Sequence, residues 1–222
     1  MSFDPVSYVM GDAIGGGGSS VTVEELSVTE NGTYTAPTGK AYSPVTVNVS
    51  GEPTLPSEYQ EVEYLTNDGY CWCEINCSIY AHDKIAVSFS LSSDAPSSEC
   101  GICGKSNSWE ILTQNNTVTV WGNISGSPVS ISRDAKVNYS AIFTGDPTDF
   151  LWGRYKEDRY PFTGNMYSLR LYVEHGTKEH NYLLLVPCYR KADNVPGFYD
   201  VINSTFYTNQ GTGTFGIGPD VN

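Results

Sequence analysis

The segment from Leu183 to Phe215, LLLVPCYRKADNVPGFYDVINSTFYTNQGTGTF, decides the fold class. It opens with an apolar run, residues 183–186, that Pro187 ends, and a short apolar run before a breaker predicts a buried strand. The remainder is aromatic and β-branched, as in 198–202 and 205–208, which favours strands. Turn-forming pairs divide it: Asp193-Asn194, Pro196-Gly197 and Asn203-Ser204. The segment therefore predicts a short β-hairpin packed on a larger sheet.

The rest of the chain from residue 57 onward shows the same rhythm of short strands and turns. Residues 85–91 alternate strictly, with Ile85, Val87, Phe89 and Leu91 predicted to face inward. Further strands are predicted at 117–121, 139–143 and 167–173, and a hairpin turn at 174–178 leads to the Leu183 strand. Turns at these spacings predict an all-β sandwich or jelly roll occupying residues 53–222.

The first twenty residues differ from the rest in composition. Residues 1–14 predict a short helix that Ser2 or Asp4 caps, and 15–20, GGGGSS, predict a flexible linker. A helix this short is unstable alone in water, so its apolar side needs a partner. We interpret residues 1–20 as a docking peptide with its linker, the alternative being a frayed terminus. The predicted docking residues are Phe3, Pro5, Val6, Tyr8, Val9, Met10 and Ile14.

Residues 21–52 predict a small β-module. Valines alternate at its two ends, and Asn31-Gly32 is a hairpin signal. Its few apolar side chains cannot build an independent core, so the module should pack on the sandwich, on a partner protein or on further copies of itself. Association around a three-fold axis is one arrangement that such packing would allow. Residues 52–56, EPTLP, predict a stiff linker to the sandwich.

Three segments of the sandwich carry a resemblance to a known family: 55–65 (LPSEYQEVEYL), 164–172 (GNMYSLRLY) and 186–215. They resemble concanavalin A-like (laminin G-like) β-sandwich modules in structural proteins of phages and prophages of Gram-positive gut bacteria. Residues 30–37 (ENGTYTAP) and 42–49 (YSPVTVNV) are similar to a small β-module found in the same virion proteins. The resemblance implies a virion protein with a concanavalin A-like jelly-roll sandwich, attached through its N-terminus and made in the cytoplasm of the bacterial host.

The charge of the chain excludes one class of partner. With 25 acidic and 12 basic residues the formal charge is −13, whereas a phosphate-binding face needs clustered Lys and Arg. We therefore expect no nucleic-acid binding. The sequence also lacks an apolar run long enough to span a membrane, and lacks a basic region followed by an apolar stretch at its start. We expect neither membrane insertion nor secretion through a signal peptide.

The six cysteines allow two interpretations. Cys71, Cys73 and Cys77 share parity on one predicted strand, and Cys100 and Cys103 form a C-x-x-C pair, so four thiolates could bind zinc. The alternative is that all six, with Cys188, are small core residues and reduced thiols of a protein made in the cytosol. Because no histidine lies at a ligand-like spacing, the second interpretation is preferred and no metal is assigned.

The search for catalytic motifs yields no enzyme site. A glycosidase needs two acids across a cleft, yet the clustered acids Glu58, Glu61 and Glu63 lie in the opening segment, which the family uses as a peripheral strand. The three histidines have no nucleophile motif nearby, and the glycine run lacks the Lys-Ser/Thr ending of a phosphate loop. Loop acids remain candidate calcium ligands, although their spacing is not that of a defined motif: Asp94, Asp146, Asp149 and Asp158.

Aromatic residues near predicted turns are the best binding feature. Flat sugar faces stack on aromatic rings while Asp and Asn bind hydroxyls. We predict a glycan-binding rim patch built around Trp152 and Tyr155, with Trp121 expected to be buried at a strand end. The full predicted site is Trp152, Tyr155, Asp146, Asp149, Trp109 and Tyr160.

These features together predict a non-enzymatic phage virion protein, either a head fibre or decoration protein or a tail fibre. Its lectin-like domain would adhere to glycans of the host or of mucus, and the chain is expected to form a homo-oligomer. A carbohydrate-active enzyme and a purely structural cap without a ligand are the alternatives. A fold alone does not assign a ligand, so the glycan expectation depends on the site itself.

Overall fold

The computed structural model describes residues 54–105, 108–153, 161–175 and 178–221, together with four three-residue strands before them. At residues 174, 175 and 178–180 it describes the backbone alone. The chain divides into two units, residues 1–54 and 55–222, two residues beyond the predicted boundary at 53. The described residues contain strands and turns and no helix, as the all-β prediction requires. No helix that could cross a membrane occurs among them.

In the first unit the described residues form four short strands: β1 (Val6–Tyr8), β2 (Leu26–Val28), β3 (Gly32–Tyr34) and β4 (Val45–Val47). β1 pairs with β2 and β3 pairs with β4, both antiparallel. The predicted helix over 1–14 is therefore wrong at Val6–Tyr8, where β-favouring residues gain hydrogen bonds from a partner strand. Asn31-Gly32 does not join β2 to β3 as a paired hairpin in the described residues. The other predicted docking residues lie outside the described residues: Phe3, Pro5, Val9, Met10 and Ile14.

The second unit contains sixteen described strands. In chain order they are β5 (Tyr59–Glu61), β6 (Leu65–Asp68), β7 (Cys73–Ser78), β8 (Lys84–Leu91), β9 (Cys100–Lys105), β10 (Trp109–Gln114), β11 (Thr117–Gly122), β12 (Ile124–Ser125), β13 (Val129–Ser130), β14 (Val137–Phe143), β15 (Thr148–Trp152), β16 (Thr163–His175), β17 (Lys178–Arg190), β18 (Val195–Asp200), β19 (Thr205–Thr208) and β20 (Gly216–Ile217).

These strands form two antiparallel sheets that pack as the layers of a sandwich. The six-stranded sheet has the order β13-β11-β10-β9-β15-β7. The ten-stranded sheet has the order β12-β14-β8-β16-β17-β18-β19, with β6 beside β16, β5 beside β17 and β20 beside β6. The strand predictions at 85–91, 117–121, 139–143 and 167–173 are confirmed by β8, β11, β14 and β16.

The core lies between the two sheets because alternate residues of each strand point inward. On β8 the inward positions are Ile85, Val87, Phe89 and Leu91, as predicted from their alternation, and none is more than 2% exposed. Trp109 of the six-stranded sheet meets Phe143 of the ten-stranded sheet edge to face, with ring centroids 4.9 Å apart. Such contacts bury aromatic area from both layers and hold the sheets together.

The segment that decides the fold lies in the ten-stranded sheet. Leu183 and Leu185 enter the core, but Pro187 does not end the strand, because β17 continues to Arg190. The carbonyl of Pro187 accepts a hydrogen bond from the backbone of Val62 at 3.0 Å, so the missing N–H faces that side and leaves the ladder with β18 intact.

The predicted corner at Pro196-Gly197 is also wrong, since both residues belong to β18. Gly197 is needed there for a different reason: a Cβ would collide with the ring of Phe206 and the backbone of Tyr207 on β19. β18 and β19 form the predicted hairpin, with its turn between Asp200 and Thr205.

The opening segment at residues 55–65 packs against this hairpin. β5 pairs with the end of β17, and the ring of Tyr59 lies 4.8 Å from the rings of both Tyr199 and Phe206. These rings belong to a second, smaller apolar cluster that also includes Cys188. Two of the three sandwich segments that carry the family resemblance, 55–65 and 186–215, are therefore adjacent in space.

Candidate functional site

One row of side chains crosses the outer face of the six-stranded sheet. In the strand register Trp121 lies opposite Glu110, Glu110 opposite Gly104, Gly104 opposite Leu151, and Leu151 opposite Glu74. Residues directly opposite one another on antiparallel strands project from the same face. We call these five residues the Trp121 row.

Trp121 stands out from this face. Its side chain is 68% exposed, whereas Trp109 and Trp152 are 0% exposed. The alternation of β11 explains the exposure, because Val118 and Val120 pack against the core and the next residue must point outward. A large indole ring held on a paired strand offers a flat apolar surface that is already fixed in place.

The next two residues of the Trp121 row are an acid and a glycine, and both are buried. Glu110 is only 5% exposed. It lies directly opposite Trp121 on the neighbouring strand, and the Cβ atoms of such a pair are about 5 Å apart. Glu110 also has an interaction partner within the protein. Gly104, the following residue of the row, has no side chain and is buried. The row thus combines a stacking surface with a hydrogen-bond acceptor, which is the chemistry that sugar rings require.

The predicted glycan site is not assembled by the structure. Trp152 and Trp109 lie in the core, so their predicted position on the rim is wrong; Trp152 ends β15 and packs 6.0 Å from Phe198. The expectation that Trp121 is buried is equally wrong. Tyr155 and Tyr160 lie outside the described residues.

The two predicted acids are engaged in local contacts. Asp146 accepts a hydrogen bond from the backbone N–H of Ala81 at 2.6 Å and so holds the turn before β8. Asp149 pairs with Lys105, with 2.7 Å between Nζ and Oδ1, and this hydrogen bond lowers the pKa of the carboxyl.

A sequence signal for Trp121 was present. In the segment TVTVWG at 117–122, apolar and polar residues alternate, so burying both valines forces the tryptophan to the other face. The corresponding signal for Trp152 was hidden, because Gly, Pro and Asp around 145–149 suggest a loop. The structure instead pairs β15 on both sides, with β7 and β9, which buries every inward residue.

The cysteines do not gather into a metal site. Cys73 and Cys103 both lie opposite Trp152, one on each side of β15, so the bulky indole separates them by two strand spacings. No group of three or more His, Cys, Asp or Glu side chains suited to a metal occurs among the described residues, which include three of the four proposed calcium ligands; Asp158 lies outside them. Calcium binding stays a prediction.

Five of the six cysteines are buried, and Cys77 is half-buried against the core. Burial raises the pKa of Cys77 and of Cys188 to about 12, and burial also raises the pKa of Cys71, Cys73, Cys100 and Cys103. The Sγ atoms therefore stay protonated near neutral pH. A protonated thiol is neither a good nucleophile nor a metal ligand.

Comparison of the chain with protein-family models, with curated proteins and with solved structures finds no match.

Proposed function

We propose that the protein is a non-enzymatic virion protein of a phage or prophage, and that residues 55–222 hold carbohydrate on the outer face of the six-stranded sheet. The observation that carries the carbohydrate part is the 68% exposure of Trp121 on a paired strand, directly opposite Glu110. A sugar ring would stack on the indole while its hydroxyl groups donate hydrogen bonds to the carboxylate.

A single exposed ring favours weak, repeated binding. Stacking on one aromatic ring contributes about 1 kcal/mol, so a single module should bind with low affinity. Many copies on one particle would raise the overall affinity through effective concentration, without any new contact. This is the behaviour expected of an adhesin.

The spacing of the acids supports binding over hydrolysis. Glu110 and Glu74, the two acids of the Trp121 row, are three strand spacings apart, or about 14 Å. Glycosidase carboxyl pairs lie about 5–9.5 Å apart, and the chemistry fails when the acid and the nucleophile or base cannot reach the same bond.

The virion part of the proposal is supported by the resemblance of residues 55–65, 164–172 and 186–215 to phage sandwich modules. We also propose that residues 55–222 have the jelly-roll topology of that family. Residues 1–54 form a separate unit, which suits attachment to other virion proteins and association of copies, for example as a trimer. Mass spectrometry of purified particles, which should contain the chain, tests this part; particles without it would contradict the location.

Replacing the exposed indole tests the carbohydrate part. We expect Trp121→Ala, as a multimer, to lose retention in affinity gels that contain mucin glycans or host wall polysaccharide. Its melting temperature should stay within about 2 °C of wild type, because exposed side chains add little to stability. Tyr80→Ala is the matched control, since Tyr80 is 63% exposed but lies off the row. Undiminished retention of Trp121→Ala would contradict the proposal.

A further inference from the structure

Two adjoining hollows lie on the outer face of the ten-stranded sheet, on the opposite side of the sandwich from the Trp121 row. Outward residues of β14, β8 and β16 build the floor of the first hollow in two neighbouring rows, Asn138-Ser88-Ser168 and Ser140-Ala86-Arg170. Because β8, the middle strand, contributes only a serine and an alanine to these rows, the surface sinks to a hollow of about 330 Å³. That volume lies in the range of ligand sites.

The second hollow extends the first toward the edge of the sheet. It has a volume of about 380 Å³ and shares Ser140 and Tyr172 with the first hollow. Ser125 and Ser127 line it, together with Ile142, whose side chain is 42% exposed. We call the two hollows together the serine trough, after the five serines that line it: Ser88, Ser125, Ser127, Ser140 and Ser168.

The charged groups of the trough are already occupied within the protein. Of the described residues that line it, only Lys84 and Arg170 are charged. The guanidinium of Arg170 lies 4.3 Å from the ring centroid of Tyr172, and both cations make a further interaction within the protein. The groups left for a ligand are therefore the uncharged hydroxyls and an amide, each of which can both donate and accept hydrogen bonds.

One of these hydroxyls has no partner in the folded protein. Ser88 is 6% exposed, and its Oγ makes no hydrogen bond. Its side chain points to the trough, because Val87 and Phe89 on either side of it enter the core. Buried polar atoms are nearly always hydrogen-bonded, so this one needs an explanation. A ligand hydroxyl would supply the missing bond once the side chains beside Ser88 move aside.

The position of the trough favours a saccharide over an extended peptide. An extended peptide gains its affinity by adding a strand to the free edge of a sheet. The floor of the trough offers no such edge, because β8 is paired with β14 on one side and with β16 on the other. A sugar instead presents hydroxyl groups at its rim and apolar C–H groups on its faces, which suit the serines and the exposed Ile142.

We propose that the serine trough binds a neutral oligosaccharide. Ser88, Ser140 and Asn138 exchange hydrogen bonds with ring hydroxyls, and Ile142 contacts the apolar face of a ring. This site lies on the other face of the sandwich from the Trp121 row and uses hydroxyls where the row uses an exposed ring. It therefore stands or falls independently of the proposed function.

A titration followed through backbone amide signals in NMR spectra tests the proposal. The probes are three uncharged tetrasaccharides, cellotetraose, maltotetraose and chitotetraose. We expect at least one of them to shift the amide signals of Ser88, Ser140 and Ser168 in a saturable manner. Added salt should leave the affinity unchanged, because no charged group of the ligand is involved. Absence of these shifts with all three probes, or binding that salt abolishes, would overturn the proposal.

Replacing the hydroxyl without a partner separates a binding role from a structural one. Ser88→Ala removes a group that makes no bond in the free protein, so its melting temperature should equal or exceed that of wild type. The same variant should bind the saccharide roughly fivefold more weakly, since one hydrogen bond of the complex is lost. A lower melting temperature would show that Oγ is bonded within the protein, and unchanged affinity would show that no ligand bonds it; either result contradicts the proposal.

A bulky side chain locates the binding. Ser140→Trp, at an exposed strand position that spares the core, should block the trough. Ser78→Trp is the matched control, because Ser78 is an exposed serine of β7 on the other sheet. Trp121→Ala should bind the tetrasaccharide in the trough as wild type does. Binding that survives Ser140→Trp, or that disappears in Trp121→Ala, would place the saccharide elsewhere and overturn the proposal.

Discussion

Single side chains decide which surface of this sandwich can bind a ligand. Trp121 and Trp152 are both tryptophans at strand ends, yet one is 68% exposed and the other 0%. The difference comes from strand parity: Val118 and Val120 take the inward positions before Trp121, whereas Trp152 itself takes an inward position between Cys73 and Cys103. Parity could be predicted for β11 from its alternation, but not for β15, whose strand character depends on pairing with two distant segments.

The thiols provide a prediction at the same scale. Burial raises the pKa of Cys77 and Cys188 to about 12, above the ordinary value of 9.0. At pH 8 a thiol with this pKa has roughly a thousandfold less thiolate than an ordinary one. We therefore expect Ellman's reagent to label the native protein slowly. In denaturant it should label all six thiols at once. Rapid labelling of several native thiols would contradict their burial.

The same shifts set the direction of a pH dependence. Because the folded pKa values lie above the unfolded value, the folded state binds more protons than the unfolded chain above about pH 9. The thiol contribution to stability is therefore fully present below pH 9 and is lost as the pH rises toward 12. A urea midpoint that falls from pH 8 to pH 10.5 would agree with this sign.

At the scale of elements, the hairpin of β18 and β19 depends on one buried acid. Asp200 is 0% exposed, and its Oδ1 accepts hydrogen bonds from the backbone of Leu184 at 3.1 Å and of Ile202 at 3.0 Å. Its Oδ2 accepts one from Asn203 at 2.6 Å. The carboxylate therefore joins β17 to the turn that the sequence indicated at Asn203-Ser204.

Replacing Asp200 should destabilise the turn between β18 and β19. We expect Asp200→Ala to lower the free energy of unfolding by about 3 kcal/mol, since it leaves buried N–H groups without an acceptor, and Asp200→Asn to cost about half as much. Urea denaturation measures both, with Asp193→Ala, an exposed acid of the preceding turn, as control. A loss below about 0.5 kcal/mol for Asp200→Ala would show that the turn is held by other contacts.

Most strands of the second unit could be predicted, because alternation and turn residues are local signals. The errors arise where pairing overrides a local rule. Pro187 was predicted to end a strand, and Pro196-Gly197 to form a turn. The sheet accommodates both, because it tolerates the missing N–H of Pro187 and the missing side chain of Gly197. Val6–Tyr8, predicted as helical, gains its hydrogen bonds from β2. No local sequence pattern indicates that pairing.

At the scale of the whole molecule, the candidate site is a product of register. The Trp121 row joins residues 74, 104, 110, 121 and 151, so it is not contiguous in sequence. Local patterns predict the strands and the class of fold, but a sheet face is composed only when distant strands are aligned.

The measurement that tests the central claim most directly is a titration of glycan followed through the indole N–H signals of the four tryptophans. Nε1 of Trp109 and of Trp152 is buried, so their signals should exchange slowly with water, and Trp121→Phe assigns the exposed ring. We predict that bound polysaccharide shifts the Trp121 signal and leaves those of Trp109 and Trp152 in place. Binding that leaves the Trp121 signal unmoved would contradict a carbohydrate site on the outer face of the six-stranded sheet.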